Sequence, residues 1–181
     1  MKTTAALLAL LVTVVGARAQ TAEDIATVTA LAHELERITL SGDIAASLQF
    51  LPPTLLDKNA EAQGMSRAEF DVMMIQRMTE MGAISKVLQS DIDATQMRWN
   101  RLPDGTLFAL IPTRNLLEVA LEPGEAPMQI AETSATLALK DQGQWRVVRA
   151  GSQTQQESLR RAFPWLENIT LPEAKTEVLD Q

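Results

Sequence analysis

Near residue 83 the apolar residues of this chain change period, from three-to-four before that point to two after it. Period 3.6 is the signature of a helix that buries one stripe, and period 2 that of a strand that buries one face. A single switch therefore predicts helices first and a sheet second. Thr21 is placed to cap the first helix, with Glu23 and Asp24 in its first turn. Ile25, Val28, Leu31, Ala32, Leu35 and Ile38 follow as one apolar stripe, and Ser41-Gly42-Asp43 ends it. Asp43 can cap a short second helix through Leu48, which Phe50-Leu51-Pro52-Pro53 cannot continue, because proline lacks an N–H and restricts the residue before it. Residues 57–65 are polar, include Gly64 and read as a loop. Ser66-Arg67-Ala68-Glu69 is a capping box, and the helix it opens carries Phe70, Met73, Met74, Met78 and Met81 before stopping near Gly82.

Strands follow. Ile84 to Ile92 is one; Thr95 to Leu102 is the next, with Met97 and Trp99 on one face and Arg98 and Asn100 on the other. Pro103-Asp104-Gly105 turns into a return strand, Leu107 to Ile111, and a separate strand covers Leu116 to Leu121 before Pro123-Gly124. Thr133, Ala135, Leu137 and Leu139 alternate with Ser134, Thr136, Ala138 and Lys140; Asp141-Gln142-Gly143-Gln144 turns the chain, and Trp145, Val147 and Arg149 alternate on the way back. An amphipathic helix, Thr154 to Ala162, returns Leu159 and Phe163 to the core. The acidic tail 173–181 is thin in apolar residues and is expected to be loose. This order predicts an α+β fold: N-terminal helices in the concave face of a curled antiparallel sheet, with a C-terminal helix. Leu35, Phe70, Met74, Phe108, Leu137 and Trp145 are the expected core.

The N-terminus reads as a cleavable secretory signal. Lys2 supplies a positive start, Ala5 to Val15 an apolar run broken only by Thr13, and Ala17-Arg18-Ala19 a small-x-small cleavage pattern before Gln20. The run is too short for a membrane span, which takes about 20 apolar residues. Residues 20–172 then form one domain, with no membrane anchor after cleavage. The chain has no cysteine, so neither a lipid anchor after the signal nor a disulfide is available to it. A bacterial periplasmic or secreted protein is the expectation, and in a bacterium Asn168-Ile169-Thr170 is no glycosylation site. Removing Lys2 and Arg18 leaves 14 basic against 23 acidic residues, a net charge of −9 on 162 residues. That balance and the absence of any basic run argue against nucleic acid as a partner.

Three stretches resemble the nuclear transport factor 2-like superfamily, also called cystatin-like or SnoaL-like. They are the first helix running into Ser41-Gly42-Asp43 and Phe50-Leu51-Pro52-Pro53-Thr54-Leu55-Leu56, the strand Leu107-Phe108-Ala109-Leu110-Ile111-Pro112, and the hairpin Ala138-Leu139-Lys140-Asp141-Gln142-Gly143-Gln144-Trp145-Arg146-Val147-Val148. The resemblance implies a cone-shaped fold with a pocket between sheet and helices, and homodimers through the sheet. It implies no single function, since such folds host isomerases, dehydratases, epoxide hydrolases and proteins without known chemistry. The chain has no tyrosine, so the tyrosine oxyanion donor of the isomerase members is missing.

His33 is the only histidine, and it lies about 150° from the first helix's apolar stripe, toward solvent. Asp91-Ile92-Asp93-Ala94-Thr95 starts like a calcium loop but has Gln96 and Leu102 where glycine and a carboxylate are required. No metal site and no cofactor motif is found. Arg77 falls at the centre of the Phe70–Met81 stripe, where a charge is costly unless paired. It either snorkels past the core edge, pairs with a carboxylate such as Asp43, or holds an anionic ligand in a pocket. Arg77, Asp43, Met74, Met78 and Trp99 are therefore the pocket candidates, while Arg98 and Arg149 read as exposed sheet-face charges. Two functions remain open: a non-catalytic domain binding a small apolar or anionic ligand or a protein partner, and a small enzyme whose base is a carboxylate held by an arginine.

Overall fold

A computed structural model describes residues 20–120 and 125–179, so the secretory-signal reading lies outside the described residues. The chain is α+β. Helices α1 (Ala22–Ser41), α2 (Ile44–Phe50), α3 (Pro53–Ala62) and α4 (Arg67–Gly82) come first. Strands β1 (Ser85–Ile92), β2 (Arg98–Arg101), β3 (Leu107–Val119), β4 (Met128–Asp141) and β5 (Gln144–Arg149) follow, then α5 (Gln153–Ala162) and β6 (Lys175–Leu179). All strand pairs are antiparallel and the sheet curls into half a barrel, consistent with a cone. No helix among the described residues is long and apolar enough to cross a membrane.

The caps form as the sequence dictates. Thr21 and Asp24 close a capping box on α1, Asp43 accepts the Ala46 N–H of α2, and Ser66 and Glu69 close a second box on α4. The stretch 57–65, read as a loop, belongs largely to α3. Pro53 sits at the first helical position, where its missing N–H costs nothing. The helix has no side-chain cap of its own; the Asp141 carboxylate, 87 residues away, accepts from the Thr54 N–H at 2.9 Å and the Thr54 hydroxyl at 2.6 Å. A cap borrowed from the last hairpin leaves no local signal.

Three more expectations are corrected. The strand read as Leu107–Ile111 and the one read from Leu116 are one, β3, running through Pro112 to Val119, while Leu121 and the Pro123-Gly124 turn lie outside the described residues. Pro112 is tolerated because the neighbouring chain leaves the ladder beside it: β1 ends at Ile92 opposite Thr113, β2 starts at Arg98 opposite Leu110, and a 3-10 turn at Ala94–Gln96 bridges them. That turn also replaces the start of the strand read from Thr95. The tail, expected to be loose, forms β6, which pairs Lys175–Leu179 with Gln129–Thr133 of β4.

Alternation sorts the sheet into two faces. Ala109, Ile111, Ala138, Trp145 and Val147 pack with Val28, Ala32 and Leu35 of α1, which lies across this inner face and touches β1 and β5 at opposite edges. Phe108, Leu137, Leu139 and Val148 pack on the other face with Leu55 of α3 and Leu159, Ala162 and Phe163 of α5 and its end. A third cluster joins Leu48, Leu56, Ala60 and Phe70 between α2, α3 and α4. The six expected core residues thus divide among three clusters, and Met74 is only half-buried.

The β4–β5 turn needs two residues with positive φ, supplied by Gln142 at 50° and Gly143 at 80°. Gly151 is required for a different reason: a Cβ there would stand 2.7 Å from the Ser134 Cβ and 3.3 Å from the Ala174 Cβ. Both neighbours are fixed to backbone that carries β4 and the approach to β6. Gly151→Ala should therefore cost about 1–3 kcal/mol, the range of overpacked cores, in urea unfolding. A stability equal to the parent protein would show that β4 can move aside.

Candidate functional site

The structure does not assemble the carboxylate–arginine pair. Arg77 is exposed, Asp43 is exposed and spent on the α2 cap, and no ion pair joins them among the described residues. The reason lies in the short partners of α4. This helix meets α2 and α3, and of its stripe Phe70 is buried, with Met73 and Met74 packed against the same cluster. Farther along, Met78 is half-buried, while Arg77 is exposed and Met81 is 64% exposed. Arg77→Met should accordingly change stability by no more than about 0.5 kcal/mol, as ordinary surface substitutions do, in thermal or urea melts. A loss of several kcal/mol would mean that a buried partner exists after all.

Trp99 is half-buried on the inner face, edge-on to Trp145 with ring centroids 5.3 Å apart. It packs against the inner-face core, opposite Ala109 of β3. His33 is exposed, as its helix phase predicts. With Glu36 and the stretch Asp91–Thr95 it lines a cleft of about 470 Å³ between α1 and the end of β1. The Asp93 carboxylate is already used, accepting from the Thr95 hydroxyl and backbone and the Gln96 side chain, and these bonds hold its pKa below the usual carboxylate range. Among the described residues no three His, Cys, Asp or Glu side chains are placed to hold a metal.

The inner face holds a second region that the sequence reading missed. Beyond the apolar rows under α1, the same alternation continues as Thr113 and Asn115 of β3, Glu132, Ser134 and Thr136 of β4, and Arg149 of β5, with Ser90 of β1 beside them. All are buried except Glu132 and Arg149, which are half-buried. Ser90, Asn115, Glu132, Ser134 and Arg149 form one network, and Thr113 and Thr136 pair beside it. Ser90 Oγ donates to Asn115 Oδ1 at 2.9 Å, and the Thr113 and Thr136 hydroxyls meet at 2.8 Å. Asn115 Nδ2 and Ser134 Oγ both donate to Glu132 Oε1 at 3.3 Å.

Arg149 stands at its centre. Nη2 donates to Asn115 Oδ1 at 3.1 Å and to Thr39 Oγ1, near the end of α1, at 3.5 Å. Among the described residues no carboxylate lies within 4 Å of this guanidinium. Burial holds its pKa below the ordinary arginine value, and the more distant Glu132 charge pulls it back up. Among the described residues, the one side-chain polar atom sealed from solvent without a partner is Arg146 Nε. Arg149 Nε and Nη1 make no hydrogen bond and are not sealed, so they face solvent-accessible space.

Two signals pointed here. Arg149 shares the alternation of Trp145 and Val147, which places it on their face. The polar residues at 113, 115, 134 and 136 share their strands' inward positions. Reading Arg149 as an exposed sheet-face charge overlooked that it faces one interior with these polar residues. Chemically the network is a cation with free donors, ringed by neutral hydrogen-bonding groups, with one carboxylate at its edge. Comparison with protein families, curated proteins and solved structures gives no match to this chain.

Proposed function

We propose that this is an exported, non-catalytic domain of the nuclear transport factor 2-like kind that binds a small molecule on the inner face of its sheet, at Arg149. The single observation behind this reading is a half-buried guanidinium with unused donors and, among the described residues, no carboxylate within 4 Å. A desolvated cation is costly unless its charge and donors are met. The present network meets only one nitrogen, and with neutral oxygens. A ligand acceptor would complete it without moving the strands. The nearest alternative, acid–base catalysis by Asp43 with Arg77, lacks support in the geometry, since the two residues form no ion pair and both are exposed.

Native mass spectrometry of protein purified from the secreted fraction tests the reading and also reports oligomeric state. A non-covalent small-molecule adduct is expected on the wild-type chain and not on Arg149→Met. Adding the extracted ligand back should raise the melting temperature of the wild type and not of the variant, by the mass-action rule for ligands that bind only the folded state. Bare polypeptide from the wild type, with no stabilisation by its own cell extract, would sink the proposal.

A further inference from the structure

Beside the Arg149 network, one step farther from the core, four apolar side chains stand abreast. Val87 of β1 is opposite Leu117 of β3, Leu117 is opposite Ile130 of β4, and Ile130 is opposite Val178 of β6. Directly opposed residues share a face, so all four belong to the inner face that bears Arg149. The row spans three strand spacings, roughly 14 Å. It is incompletely covered: Val87, Leu117 and Ile130 are half-buried and Val178 is 60% exposed. Helix α1 ends at Ser41, with Thr39 already at Arg149, so the row lies past its C-terminal end.

Resting on the ligand-binding reading above, we propose that the ligand is an amphipathic monoanion, an aliphatic carboxylic acid whose head accepts from a free Arg149 N–H and whose tail lies along Val87, Leu117, Ile130 and Val178. The head is assigned by charge. Arg149 is the cation of this network, and its free donors are Nε–H and Nη1–H. Glu132 faces the same network, but its Oε1 is already taken by Asn115 and Ser134. A charge-assisted bond from guanidinium to carboxylate is the strong form of hydrogen bond, and here it would form partly away from water. The tail is assigned by the row, which offers apolar surface across the sheet with no polar side chain between its members. Neither half suffices alone: a short acid leaves the row wet, and an uncharged tail leaves the guanidinium unmet.

Isothermal calorimetry on the full secreted chain, with decanoate kept below its micelle concentration, provides the test. Decanoate should bind, decylamine should not, and butyrate should bind much more weakly than decanoate. Arg149→Met should weaken decanoate by about tenfold or more, which is about 1.4 kcal/mol. Leu117→Asn places a neutral polar amide on the tail path and should weaken decanoate more than butyrate; it serves also if Arg149→Met fails to fold. Equal binding of decylamine, or an unchanged decanoate affinity in both variants, would overturn the assignment. Absence of decanoate binding alongside an Arg149-dependent adduct of other chemistry in native mass spectrometry would overturn the ligand class and leave the binding reading standing. No decanoate binding and no adduct would overturn both.

Discussion

Trp145→Ala should remove roughly 3–5 kcal/mol of stability, the range seen when large aromatic core residues are truncated. The indole is buried beneath α1, meets Trp99 edge-on at 5.3 Å, and has Lys140 Nζ 4.9 Å from its ring centroid. Its Nε1–H donates to Asp24 Oδ1 at 2.7 Å, tying the sheet to the first turn of α1. Urea unfolding at neutral pH measures the total loss, and a change within about 0.5 kcal/mol would mean that α1 does not depend on this contact. Trp145→Phe separates the Asp24 bond from the packing. The backbone N–H of Thr21 and then the Trp145 indole hold the Asp24 pKa down at about 2. An unfolded aspartate titrates near 3.9, so the stabilisation from this carboxylate is complete above that pH and disappears as pH falls through about 2. The penalty of Trp145→Phe should therefore narrow as pH is lowered from 5 toward 2, and a penalty independent of pH would place the indole bond elsewhere.

The second large effect is expected at Asp141, a buried carboxylate at the start of the last turn. Asp141→Ala removes both acceptors from Thr54 and leaves α3 uncapped. Loss of an N-cap costs about 0.5–2 kcal/mol, and bonds to a charged acceptor contribute about 1.5–3 kcal/mol. These overlap, so the net expectation is roughly 3 kcal/mol, with a smaller loss for Asp141→Asn, which keeps one acceptor oxygen. Amide hydrogen exchange discriminates the cause: protection over 54–62 should fall more than protection over α4, whose cap is its own Ser66–Glu69 box. Equal loss across both helices would show that Asp141 supports the hairpin and not α3.

These two residues mark the limit of what could be read from the chain. Trp145 lies in a clean alternation between a turn and a helix, so its burial follows from period alone. The same holds for α1, α2 and α4, each opened by a cap within three residues of its first turn. Helix α3 was not legible, because its cap comes from a residue that becomes its neighbour only after the sheet has formed. The strand β3 was split at Pro112 because the gap that excuses the proline lies in another strand. The candidate site meets the same limit. Arg77 was placed inward by a helical stripe whose second half outruns its cover, whereas Arg149 was placed outward on the general habit of arginines. Its own register with Trp145 was the better guide. Local periodicity reports which face a residue is on; what covers that face is a non-local fact.

The interruption opposite Pro112 also bears on how this cysteine-free chain avoids sticking to itself. An open half-barrel has two edges, and unpaired edges are templates for strand addition by other molecules. Among the described residues neither edge offers a long template. One is divided into β1 and β2 by the 3-10 turn, with a further irregularity between Val87 and Gln89, and it carries Lys86, Arg98 and Arg101. The other is divided into β5 and β6 by α5 and the segment after it, and β6 presents Lys175 and Glu177 to solvent. The longest edge strand is the eight residues of β1, whereas the interior strands β3 and β4 run for 13 and 14. Breaks that look like imperfections in the ladder leave the long, regular strands in the middle, where the protein itself supplies both neighbours.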